Sequence, residues 1–335
     1  MTLVILFVLA EAATYCYIFY RVNFGDSADD RKYFSGKIIF PKYNTNTIDT
    51  REGVAKYFKP REPAFPPANI PWGRPIVTFG CSYTYGNGLE PEQTYPYRLA
   101  MIMGRPVYNV AQGAWGIQHM LNELETGMGL DGINNPEFAI YLFIGDHMRR
   151  LSSVFGNSPW PTEPYVFNST PYLTYVEKNG KLVPKKYPHR IIFANWLLFD
   201  QIYHAITAEE FYNNNIFSLE RRPAAKKKVM ELVKLHFLQS YEEIQKRWPD
   251  AKFVIIIYDI PAPDEEDTWK ELEKKGIIFI RLYEIAKSKG IDHMGAHGYT
   301  LADGAHPNEK LWDAVTPEIA KKLDEISNKG AANAN

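Results

Sequence analysis

The apolar positions of this chain fall into short continuous runs and longer amphipathic stretches, and the two kinds alternate. Ile76–Phe79, Val107–Val110, Phe138–Ile144, Phe253–Tyr258 and Ile277–Ile280 are short runs rich in β-branched and aromatic side chains. Uninterrupted runs of this length fit strands buried on both faces, as in a parallel sheet. Between and after them, helices are predicted over Thr94–Met103, closed by Gly104, and over Ile117–Glu125, Lys226–Arg247, Trp269–Lys275, Leu282–Lys289 and Leu311–Ile326. In Lys226–Arg247 the residues Val229, Leu232, Val233, Phe237 and Ile244 share one side, and the lysines at its start form a solvated end. Strands alternating with helices predict a three-layer α/β/α sandwich around a central, mostly parallel sheet, occupying residues 74–326.

The flanking segments read differently. Residues 3–20 are mostly apolar and at the short end of what spans a bilayer, with Glu11 costly near the centre. Tyr15, Tyr17, Phe19 and Tyr20 followed by Arg21 resemble an interfacial belt. No basic residue precedes Leu3 and no small-residue exit site follows, so an N-terminal apolar helix acting as an uncleaved anchor (1–21) is preferred to a signal peptide. Tyr15 before Cys16 argues against a lipoprotein. Arg21, Arg31 and Lys32 interleave with Asp26, Asp29 and Asp30, so charge leaves the orientation open. Residues 22–73 form a polar arm that becomes Pro-rich at Pro60, Pro63, Pro66, Pro67 and Pro71, with a strand-like piece at Lys37–Phe40. Residues 151–224 read as a loop-rich, lid-like insertion with Trp160, Tyr165, Phe167, Tyr172 and Tyr175 close together and an amphipathic stretch near Trp196–Ile206. That insertion either roofs a site or packs only on itself. Asn168-Ser169-Thr170 is a glycosylation sequon, and the tail 327–335 reads as disordered.

The chemistry gathers where strands end. Gly80-Cys81-Ser82 follows the first run, at the position where an α/β protein projects side chains into the crevice above its sheet. A serine there often only caps a helix. Far downstream, Asp303-Gly304-Ala305-His306 supplies a base and a carboxylate three residues apart, the partners a nucleophilic serine needs. Together the two segments resemble the SGNH (GDSL-like) hydrolases, with Ser, Asp and His in that order. The resemblance implies Ser82 as nucleophile, His306 as base and Asp303 as its orienting acid. Gly113, after the second run, then matches the family's glycine, whose N–H joins that of Ser82 as an oxyanion donor. The family's Gly-x-Asn block is matched by Gly145-Asp146-His147, so His147 stands where the oxyanion Asn is expected, with Asp146 a candidate to orient its ring. An imidazole N–H can fill a donor's place. Tyr83, Trp115 and Arg149 are the candidate substrate contacts; Arg149 or Arg150 could clamp a substrate carboxylate or phosphate, but an ion pair that braces the loop is the commoner fate and is preferred. His293 and His297 lack an acid three residues before them and are read as loop residues.

Composition narrows the reading. A formal net charge of −1 provides no field to hold nucleic acid, which is not expected as a partner. The abundant tyrosines suit glycan stacking, but they also simply fill sheets and surfaces. The two cysteines, Cys16 and Cys81, are poorly placed to pair, and their number does not settle the compartment. No metal-ligand spacing occurs, so no cofactor is expected. The resulting expectation is a serine hydrolase cleaving an ester, an esterase or carbohydrate O-deacetylase, held to the membrane with its catalytic domain outside the cytoplasm, or else secreted. An O-acyltransferase with the same triad and a non-catalytic SGNH-fold envelope binding protein are the alternatives.

Overall fold

The computed structural model describes residues 60–69, 71–113, 115–152, 175–184, 223–295 and 298–332. The N-terminal segment 1–21, the arm up to residue 59, most of the 151–224 insertion with its sequon, and His297 lie outside the described residues. The chain divides into two units. Met1–Tyr57, Ser153–Val176 and Val183–Lys227 make one, nearly all of it outside the described residues; Phe58–Ser152, Glu177–Leu182 and Lys228–Asn335 make the other, which holds the sheet. Among the described residues no helix is long and apolar enough to cross a membrane.

Five strands form the sheet: β1 (Ile76–Phe79), β2 (Val107–Asn109), β3 (Phe138–Phe143), β6 (Lys252–Ile257) and β7 (Ile278–Arg281). Their order is β2-β1-β3-β6-β7 and every pairing is parallel. Each of the predicted strands is present, within a residue or so of its expected ends. Helices α2 (Tyr95–Met103), α3 (Ile117–Thr126), α5 (Pro223–Arg247), α6 (Pro263–Glu273), α7 (Leu282–Ser288) and α8 (Glu309–Ala332) connect or follow them. On one face Ile76, Ile140, Leu142, Val254, Ile256 and Ile280 meet Leu99, Ala286, Trp312 and Ile319 from α2, α7 and α8. On the other, Tyr141, Phe143 and Phe253 meet Phe237 of α5, and Phe143 and Phe279 meet Trp269 of α6, through edge-on and tilted ring contacts. Both faces are therefore covered, which is why the strands read as unbroken apolar runs.

The connections differ from the expectation in four places. Helix α6 starts six residues earlier than predicted, with Pro263 in its first turn followed by Asp264, Glu265 and Glu266, residues that complement the helix dipole. The segment from Gly145 is not a loop: α4 (Asp146–Ser152) begins there with Asp146 in its first turn. Helix α8 runs on through Ala332, which corrects the expectation of disorder from Ser327, and it carries Pro317 internally. Residues β4 (Tyr175–Lys178) and β5 (Lys181–Pro184) pair as a hairpin within the region read as loop-rich. Its two-residue turn, Asn179-Gly180, has positive φ at both positions, as a right-twisted hairpin needs.

Candidate active site

Strand order reverses at β1: the chain passes from β1 outward to β2, then back across to β3. In such a sheet the crevice at the carboxyl ends of the two central strands is where ligands bind. Ser82 stands there, as the first residue of the short helix α1 (Ser82–Tyr85). The turn into α1 depends on Gly80, whose φ is +151° and where an added Cβ would lie 2.3 Å from Thr84 Oγ1. Gly86 closes α1 in the left-handed conformation with its N–H on the Ser82 carbonyl, and a Cβ there would meet Thr94. Both glycines flanking the serine are thus required by the backbone.

The second half of the site is a turn closed on itself. Leu301 N–H donates to His306 O at 2.8 Å, Asn308 N–H to Tyr299 O at 3.0 Å, and Thr300 bridges Pro307. Within it Asp303 Oδ1 accepts from the N–H groups of Ala305 and His306 at 2.9 and 3.0 Å, and Oδ2 bonds His306 Nδ1 at 2.5 Å. His306 Nε2 is 2.9 Å from Ser82 Oγ. Residues 224 positions apart therefore form one hydrogen-bonded chain, carboxylate to imidazole to hydroxyl. Burial pushes the Asp303 carboxyl up, but the Ala305 N–H, the imidazole and the His306 N–H outweigh it and hold it below the usual range.

The N–H groups of Ser82, in the open first turn of α1, and of Gly113 donate to no backbone carbonyl among the described residues. Gln112 N–H bonds Gly80 O, which ties the Gly113 loop to the turn that carries Ser82. Beside Gly113 lies the exposed Asn87, whose amide nitrogen is 3.2 Å from where a Cβ of residue 113 would sit. No motif drew attention to Asn87, although its place just past Gly86 in the nucleophile segment was visible.

Other predicted residues are placed differently. His147 is fully buried, with Nδ1 bonded to the Tyr141 hydroxyl at 2.9 Å and its ring packed on Tyr141 and Phe143. Burial, reinforced by Arg150, holds the imidazole neutral. Its Nε2 has no accessible surface and no hydrogen-bond partner among the described residues, so it is not presented to a substrate oxygen; the expectation of an oxyanion role is corrected. Nor is its ring held by Asp146, which instead pairs with Arg150 at 2.7 Å. Trp115 is 3% exposed and stacked on His119, so it offers no face to a substrate. Arg150 is the arginine that forms the ion pair, bonding Asp146 within α4 and reaching across to the Trp115 carbonyl, while the Arg149 side chain lies outside what the structure describes. Tyr83 does line the crevice, but its hydroxyl is engaged by Ala305 O. Cys81 is buried and unpaired, and His293 is an exposed loop residue, as expected. Asp259, at the end of β6, accepts from Gly145 N–H at 2.6 Å. Among the described residues no cluster of potential metal ligands occurs.

No family model and no curated protein matches the chain. Among solved structures it is similar to a lipolytic protein of the G-D-S-L family from Desulfitobacterium hafniense, with 10% identity, a TM-score of 0.40, and coverage of 74% of this chain and 99% of that one. It is similar to an acetyl xylan esterase from Butyrivibrio proteoclasticus, with 10% identity, a TM-score of 0.43, and coverage of 77% and 66%. It is also similar to a GDSL-like lipase from Bacteroides uniformis, with 13% identity, a TM-score of 0.38, and coverage of 76% and 97%. These likenesses are distant, and the chemistry assigned to the site rests on its own distances.

Proposed function

We propose that this protein hydrolyses esters by a serine mechanism, with Ser82 as nucleophile, His306 as general base and then acid, and Asp303 as the group that fixes the imidazole. The observation that carries this is the bonded chain from Asp303 through His306 to Ser82 Oγ, at 2.5 and 2.9 Å. Nε2 takes the Oγ proton as Oγ attacks the ester carbonyl, and the carbonyl oxygen gains the negative charge. The N–H groups of Ser82 and Gly113 receive that charge. His306 returns the proton to the departing alkoxide, and water, activated by the same nitrogen, releases the acid from the acyl-serine. Asp303 remains ionised throughout, consistent with a carboxyl held below its usual range. The substrate class is an acylated small molecule or glycan. Anchoring of the catalytic unit outside the cytoplasm by residues 3–20 belongs to the same proposal and rests on sequence.

Hydrolysis of p-nitrophenyl acetate by the full chain is the test. Ser82→Ala and His306→Ala each lower kcat by about 10⁴-fold or more. An undiminished rate in folded Ser82→Ala overturns the proposal. Running the reaction with a sugar acceptor, and measuring free acetate against acetylated sugar, separates a hydrolase from an acyltransferase.

A further inference from the structure

The turn that carries His306 is fixed in shape by its own hydrogen bonds, but those bonds do not fix where it sits relative to Ser82. Tyr299, Leu301 and the buried Pro307 pack the ends of the turn, but Asp303, Gly304 and Ala305 at its tip are exposed and little packing holds them. The Ser82–His306 hydrogen bond cannot by itself serve as the anchor, because the proton in it is transferred at each attack and the bond must break and re-form. Tyr83 makes a second link that the chemistry leaves intact. Its hydroxyl donates to the Ala305 carbonyl at 2.7 Å, one residue before the base, while its backbone follows the nucleophile directly in α1. The ring is itself held, edge-on to Tyr258 with centroids 5.2 Å apart. Tyr258 is 5% exposed and belongs to the core at the end of β6. The Tyr83 ring also lies 5.4 Å from the imidazole of His306.

We propose that Tyr83 is a positioning residue: its hydroxyl, braced on Tyr258, holds the Ala305 carbonyl and so keeps His306 Nε2 within bonding distance of Ser82 Oγ. The assignment rests on the hydrolase reading above and goes beyond it, because the residue beside the nucleophile, sequence-read as a substrate contact, acts instead through the base. A lost hydrogen bond of this kind leaves the ester pocket unchanged but lowers the fraction of molecules in which the base is in place, so it reduces kcat without raising KM.

The test compares the full chain with Tyr83→Phe, which keeps the ring and removes only the donor. Steady-state kinetics with p-nitrophenyl acetate are read beside amide hydrogen exchange of residues 301–308 and of β1 and β3. Tyr83→Phe is expected to lower kcat about tenfold with KM within twofold, and to speed exchange in 301–308 while β1 and β3 stay protected. Kcat within twofold of wild type together with unchanged exchange overturns the brace, and so does a raised KM at unchanged kcat, which assigns Tyr83 to the substrate. Failure of the hydrolase reading looks different: the wild-type chain then has no turnover at all. The exchange comparison still decides the brace in that case, with unchanged exchange in Tyr83→Phe overturning it.

Discussion

Glu123 is 1% exposed on α3, its Oε1 has no hydrogen-bond partner among the described residues, and burial raises its carboxyl well above the ordinary 4.5. An acid that binds its proton more tightly when folded stabilises the fold at low pH and loses that contribution as pH rises from its unfolded value toward the native one. Glu123→Gln cannot ionise, so it is expected to raise the stability at pH 8 by about 1–3 kcal/mol and to change it little near pH 4. Urea unfolding at the two pH values checks this, and a loss of stability at pH 8 would refute it. At this scale the sequence was informative where chemistry restricts the residue type. A serine, a histidine and an aspartate with the right neighbours can be found because few other side chains can replace them. It was uninformative about direction. His147 and Trp115 stood beside the expected strand ends, yet both turn into the core, where Tyr141 and His119 receive them. Nothing in the residue types separates an imidazole that faces a crevice from one that faces a tyrosine beneath it.

Elements were legible to the extent that packing sets their pattern. The five strands of the sheet could be read because both faces are covered, and the register that aligns Ile76, Phe138 and Lys252 places alternate side chains in two separate layers. The missed parts are those set by other forces. The start of α6 follows from a proline and three acids at the helix amino end, while α4 follows from a polar turn held by the Asp146–Arg150 pair; neither leaves an apolar repeat to detect. The strand-to-helix turn at Gly80 is the element on which the site depends most. Gly80→Ala places a methyl group 2.3 Å from Thr84 Oγ1 in a backbone conformation unfavourable to alanine. It is expected to cost about 1–3 kcal/mol of stability and to lower kcat far more than KM, because α1 and Ser82 move with the turn. Thermal unfolding and steady-state kinetics of the variant measure both effects; wild-type kcat in Gly80→Ala would contradict this account of the turn.

Across the whole sheet the two ends of the strands have different work. At the amino ends Glu137 gathers Arg105, Lys252 and Ser327, tying β3, β6 and α8 together by charge and hydrogen bonds. At the carboxyl ends, where the strand order reverses, Ser82 and the Asp303–His306 turn come together from opposite ends of the described chain. The proposed chemistry depends on that contact, and covalent labelling tests it directly. The full chain is treated with a fluorophosphonate and the adduct is located by peptide mass mapping. A single adduct on Ser82 is expected, absent in Ser82→Ala and formed at least about 10³-fold more slowly in His306→Ala, because an unassisted serine hydroxyl is a poor nucleophile. No adduct on the folded wild-type chain, or equal labelling of Ser82→Ala, would contradict it.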